Sequence, residues 1–191
     1  LMNAAMGGGL TAFVMMSFFI GLTGYTTALV AQNLGAGHKD QAAKVVTQSL
    51  VVSLGAFPVV LACAPLAWAG FRAMHVPAAQ LGPQIQYVSI LLYGVLISLV
   101  RNTLAGFFSG IGRTRIVMAS SVVSMLTNIG LNFLLIFGHG GFPAMGIRGA
   151  AYGTLIGGFL GMLILAAAYL RGANRREFQI RHSFSVDFAL M

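Results

Sequence analysis

Long apolar runs broken by short polar stretches set the pattern of this chain. Five runs, about 7–33, 44–70, 84–108, 116–138 and 148–171, each reach the roughly 20 residues that a helix needs to cross a bilayer core. They far exceed the ~10 residues of a barrel strand and show no strict alternation, so helices are expected throughout. The joining segments are "GAGHKDQ", "RAMHVPAAQLGP", "SGIGRTR" and "HGGFPAMGI". The pattern predicts an all-α, polytopic membrane helix bundle of five transmembrane helices.

Composition sharpens this picture. The chain has 191 residues, 58% of them hydrophobic and only 7% charged, with a mean hydropathy of +0.87. A soluble domain carries about 25% charged residues, so the bilayer is the natural solvent. No apolar run holds a carboxylate: the acids are Asp40, Glu177 and Asp187, all in polar stretches. The net charge of +8 arises from basic residues between the runs. They flank membrane segments and form no face for nucleic acid. Lys39, Lys44, Arg113, Arg115, Arg171, Arg175, Arg176 and Arg181 fall on one side of the predicted bundle, and Arg72 and Arg148 on the other. The positive side is cytoplasmic by the positive-inside rule. The first loop, the third loop and the tail 172–191 are therefore expected inside the cell, and the amino-terminal end outside. Five spans starting outside imply a preceding helix, so both ends read as cuts through a longer polypeptide. No basic region precedes the first apolar run, so no signal peptide is expected, and the single cysteine, Cys63, allows no internal disulfide.

A few residues depart from the apolar background. Asn128 and Asn132 lie one turn apart on a single helix face. Two readings are open for them: hydrogen bonds between helices, worth about 0.6–2 kcal/mol each in a membrane, or the polar wall of a hydrated cavity. Thr154 on the last run and Gln86 or Tyr93 on the third are candidates to face the pair. Arg101 is the only charge well inside a run; it either snorkels to the headgroups or serves a buried role with Asn102. Gly149, Gly153, Gly157 and Gly161 recur every fourth residue, a ridge that lets another helix approach closely. Gly106 and Gly110 form a shorter pair of that kind. Pro58 and Pro65 interrupt the second run and are expected to shape that helix. His38, His75, His139 and His182 lie in loops or the tail without ligand spacing, so no metal site is expected. No Lys-Ser/Thr phosphate loop or Ser–His–acid set appears. The reading is of a protein that is not an enzyme and needs no cofactor.

Three segments together carry a family resemblance. "GYTTALVAQNLGAGHKDQAAKVVTQSL", "FFSGIGRTRIVM" and "NIGLNFLLIFGHGGFPAMGIRGAAYGT" resemble, in order and spacing, helices two to six of the multidrug and toxic compound extrusion (MATE) transporters. The resemblance implies twelve helices in two lobes around a central cleft. Residues 1–171 would be part of the amino-terminal six-helix lobe, and the tail a cytoplasmic linker to the second. It implies a multi-pass protein of the cell (inner) membrane that exports organic cations or amphiphilic compounds by antiport against H+ or Na+. Many members carry a coupling aspartate on the first helix, and some pair Asn with Asp on the fifth; the matching positions here are Asn128 and Asn132. The partners implied are the bilayer, small amphiphilic substrates, and the first helix and second lobe of the same polypeptide. Asn128, Asn132 and Thr154, with Tyr93, Asn102 and Arg101, are the expected substrate or ion cavity. A lipid-linked saccharide flippase of the same superfamily and a non-transporting scaffold, with the glycine ridge as oligomer interface, are the alternatives.

Overall fold

The computed structural model describes residues 2–73 and 77–171, together with Asn174, Glu177 and Phe178. Among them run eight helices: α1 (Met2–Gly24), α2 (Thr26–Gly35), α3 (Lys39–Ala62), α4 (Ala64–Ala73), α5 (Ala78–Tyr93), α6 (Val95–Gly110), α7 (Thr114–Phe137) and α8 (Ile147–Leu170). Successive helices join into bilayer-length elements. Met6–Gly35 and Lys39–Arg72 are continuous enough to count as single spans, and α7 and α8 are spans by themselves. The pair α5–α6 makes the fifth span, bent by 48° at its break. These limits lie within a few residues of those the hydropathy pattern predicts.

Each interruption is marked by particular residues. At the α1–α2 junction, Thr23 turns its hydroxyl back onto the Phe19 carbonyl at 2.8 Å, a bond that competes with the helix ladder and bends it. Asn102 of α6 then donates to the Ile20 carbonyl at 3.0 Å and to Thr23 Oγ1 at 2.8 Å. At the α3–α4 junction, Pro65 has no N–H to give the preceding turn, and the break falls at Cys63. At the α5–α6 junction, Gly94 is buried where an added Cβ would collide with Leu155 of α8. The third run is a bent pair rather than one straight helix, and the missing Cβ at its break lets α8 approach there.

The chain passes up and down, and its two ends differ. One end gathers the α2–α3 loop, the α6–α7 loop and the residues after α8. Glu177 bridges Lys39 Nζ at 3.2 Å and Arg113 Nη2 at 2.8 Å. Asn174 accepts from Arg113 and donates to the Ala168 carbonyl. Beneath this clasp lies an apolar cluster in which Phe107 meets Phe108, Tyr169 and Phe178 edge-on, with centroids 4.9–5.3 Å apart. Val30, Val46 and Leu104 complete it. A second cluster around Val60, Phe71, Val88, Leu92 and Leu99 ties α3, α4, α5 and α6 together. At the opposite end, Arg148 at the start of α8 donates to Gln86 of α5 at 2.9 Å. There α7 closes at Gly138, whose φ of 74° is left-handed and easily reached only without a Cβ. Large apolar side chains such as Phe13, Phe18, Met125, Ile129 and Phe133 point outward, as they do when lipid or another apolar body is the surroundings.

Candidate functional site

The α7–α8 seam is built by glycine. Gly149, Gly153, Gly157 and Gly161 are all buried and all face α7. A Cβ on Gly149 would stand 2.7 Å from the Leu135 carbonyl, and one on Gly157 would stand 2.7 Å from that of Ser124. At Gly153 it would strike the Asn132 amide, and at Gly161 it would press on Arg101 Nε at 3.0 Å and Ser120 Oγ at 3.3 Å. The ridge is thus occupied within this chain and is not free to serve an oligomer interface. Gly106 and Gly110 do the same for α6 against α2: added Cβ atoms would meet Thr27 Oγ1 at 3.1 Å and the Thr27 carbonyl at 2.8 Å.

With the two backbones this close, the polar side chains of α7 can only run along the seam. Asn132 Nδ2 donates to Asn128 Oδ1 at 3.1 Å, and Asn128 Nδ2 donates to Thr154 Oγ1 at 3.2 Å. The Thr154 hydroxyl in turn donates to the Ala150 carbonyl at 3.0 Å. The i, i+4 spacing therefore produces both a bond between the two amides and a bond between helices. Tyr87 of α5 comes within reach of the Thr154 hydroxyl. Thr154 is exposed and both asparagines are partly exposed. Asn132 Oδ1 is itself buried against Gly153 and has no hydrogen-bond partner among the described residues.

A second polar group lies further along the seam toward the clasped end. Arg101 Nη2 donates to Ser121 Oγ at 3.3 Å, and Ser120 Oγ donates to the Gly161 carbonyl at 2.9 Å. A cavity of about 260 Å³ opens there, lined by Ser98, Arg101, Asn102, Ser120, Ser121 and Gly158 among others.

The expected site is therefore divided. Asn128, Asn132 and Thr154 come together. Arg101 and Asn102 line the separate cavity, and the Asn102 amide is committed to α1. Tyr93 joins neither group. It is 69% exposed and lies in a groove with Leu61, Trp68 and Ser89. Six residues advance a helix by one turn and two thirds, so Tyr93 and Tyr87 point to different sides, and Tyr87 is the phenol beside Thr154. Gln86 is likewise taken by Arg148. Periodicity separates Tyr87 from Tyr93 by face but does not say in advance which face meets α8.

Comparison with known proteins gives one consistent result. The MatE family model matches residues 4–134. A protein of Bacillus cereus described as "Probable multidrug resistance protein NorM" is 35% identical over 69% of this chain and 30% of its own length. The "Multidrug resistance protein PmpM" of Pseudomonas aeruginosa is 34% identical over 78% of this chain and 33% of its own. The chain spans about a third of the length of these curated relatives. A crystal structure of MATE in the bent conformation superposes with a TM-score of 0.84 at 26% identity, covering 98% of this chain and 41% of the other.

Proposed function

The chain belongs to the MatE family, and on that premise we propose that it forms five spans of one lobe of a secondary active multidrug exporter. The family is one of membrane transporters and not of enzymes. In this reading the whole polypeptide exports organic cations or other amphiphilic compounds by antiport against H+ or Na+. It resides in the cell (inner) membrane, with the clasped, lysine- and arginine-rich end in the cytoplasm, and the residues after α8 lead toward a second lobe.

The observation that carries the proposal is the relay from Asn132 through Asn128 and Thr154 to the Ala150 carbonyl. It places amide, hydroxyl and carbonyl oxygens in line on an accessible seam between two spans. Such oxygens suit a hard cation, and half-buried polar groups between transporter helices serve substrate and ion binding. Neither an amide nor a threonine hydroxyl releases a proton near neutral pH. These residues therefore bind Na+ or orient a proton carrier, and H+ coupling draws its carboxylate from another part of the polypeptide.

The test uses the full-length protein in proteoliposomes, with Na+ and pH gradients imposed separately and ethidium efflux recorded. Efflux should follow one of the gradients. Asn128→Leu should lower it roughly ten-fold or more, the scale of a coupling free energy of 1–3 kcal/mol, while the protein stays monodisperse. Efflux indifferent to both gradients, or undiminished in Asn128→Leu, would remove the basis of this reading.

A further inference from the structure

We propose that the Arg101 cavity is a binding site for an anionic group, the phosphate or carboxylate of an amphiphile, separate from the asparagine relay. This rests on the helices spanning a bilayer but not on the efflux reading.

Depth is the first argument. Arg101 lies about 13 Å along the helix axis from the end of α6 at Gly110. Its neighbours lie at similar depth, within about 3 Å: Ser121 is about 10 Å from the start of α7 at Thr114, and Gly161, where an added Cβ would meet Arg101 Nε, is about 13 Å from the end of α8 at Leu170. The guanidinium is therefore held across the seam within the span, on a hydroxyl only about half a turn nearer the clasped end, and does not reach that end as full snorkelling would require.

Charge is the second. A cation at this depth in a membrane needs a partner. Among the described residues the carboxylates are Asp40 and Glu177; Asp40 is in the first turn of α3, and Glu177 is held by Lys39 and Arg113. No described acid pairs with Arg101. Of its five N–H donors, one is hydrogen-bonded, to Ser121.

Shape is the third. The cavity of about 260 Å³ beside the guanidinium far exceeds the ~30 Å³ share of one water molecule. Ser98 and Ser121 are exposed on its wall and can donate to an oxyanion. Leu165, Val117 and Ala105 complete the lining and suit an alkyl neighbour. A planar donor fork with hydroxyls on one side and aliphatic surface on the other matches an anionic head carrying a short chain.

The experiment measures binding of hexyl phosphate, and of hexyltrimethylammonium as cationic control, to the full-length protein in phosphatidylcholine nanodiscs by calorimetry. Arg101→Gln should weaken hexyl phosphate about ten-fold or more, as expected on losing a charge-assisted bond, and leave the cationic probe unchanged. Arg101→Lys should retain intermediate affinity, and Ser121→Ala should lose a few-fold. If Arg101→Gln does not fold, the Lys and Ala variants decide the matter. Nanodiscs containing phosphatidylglycerol separate the two sources of the same chemistry: competition with hexyl phosphate indicates a lipid headgroup, and its absence a free amphiphilic anion. Wild-type protein that binds the cationic probe but not hexyl phosphate, or substituted proteins that bind hexyl phosphate as wild type does, would overturn the proposal. Because binding of hexyl phosphate is read without any efflux step, its outcome is distinguishable from that of the exporter reading.

Discussion

The α7–α8 seam and the aromatic cluster under the clasp solve the same packing problem in opposite ways. In the seam, four glycines remove side chains from α8, so that its backbone touches that of α7. In the cluster, Phe107, Phe108, Tyr169 and Phe178 fill the space between α6, α8 and the residues after it. In a bilayer, burying apolar surface gains little over leaving it in lipid, and close packing with hydrogen bonds does more. A glycine seam gives both: the helices approach, and the polar side chains beside the ridge find one another. The aromatic cluster holds no such chain of side-chain hydrogen bonds among the described residues, its one polar group being the Tyr169 phenol, and it sits beneath the charged end of the bundle instead.

Substitutions can break this contrast. The largest effect is expected from Phe107→Ala, which removes the ring that three other rings contact. A loss of roughly 2–3 kcal/mol, the cavity part of such a change since the transfer part is small in lipid, should appear in the thermal stability of the purified full-length protein, and a change below 1 kcal/mol would show that the cluster is not a packed core.

Next comes a pair of neighbours on α8. Gly157→Ala forces a Cβ to within 2.7 Å of the Ser124 carbonyl, whereas Gly158→Ala meets nothing within 4 Å. The first should cost about 1–3 kcal/mol, and the second should stay within about 0.5 kcal/mol of wild type. Equal melting temperatures for the two would mean that α7 and α8 are not in backbone contact.

Asn132→Asp sharpens the relay itself. A protonated aspartate still donates to Asn128 Oδ1, but an ionised one cannot. Export by the full-length protein should thus remain measurable and gain a dependence on pH absent from wild type, with a stability change of about 0.6–2 kcal/mol. A pH profile superimposable on wild type would place residue 132 outside the working cavity.

The smallest effect is expected at the clasp. Hydrogen bonds from Lys39 and Arg113 hold the Glu177 carboxyl below its usual value of 4.5. Its folded value is the lower one, so the contribution is complete above the ordinary glutamate range and is lost as pH falls through the folded value. Glu177→Gln should cost less than about 1 kcal/mol, as exposed pairs do, and should flatten the acid limb of stability. An unchanged acid limb would mean that the pair contributes nothing in solution.

Much of this architecture is legible in residue order. Runs of apolar residues dictate helices of bilayer length, because an unpaired backbone polar group has no partner in lipid. The four-residue glycine period dictates a close helix contact, and the i, i+4 spacing puts Asn128 and Asn132 on one face. Periodicity gives the face of a helix but not what lies opposite it. Only the tertiary structure shows that α7 covers the ridge, that the relay continues through Thr154 to Ala150, and that the nearby phenol is Tyr87 rather than Tyr93. Nor does residue order give the 48° angle between α5 and α6 or the close approach of Leu155 from α8 to Gly94 at that break. Arg101 shows the same division. A lone charge in an apolar run announces itself in the sequence, but its direction depends on Ser121 and Gly161, which reach it only when three helices meet at one depth.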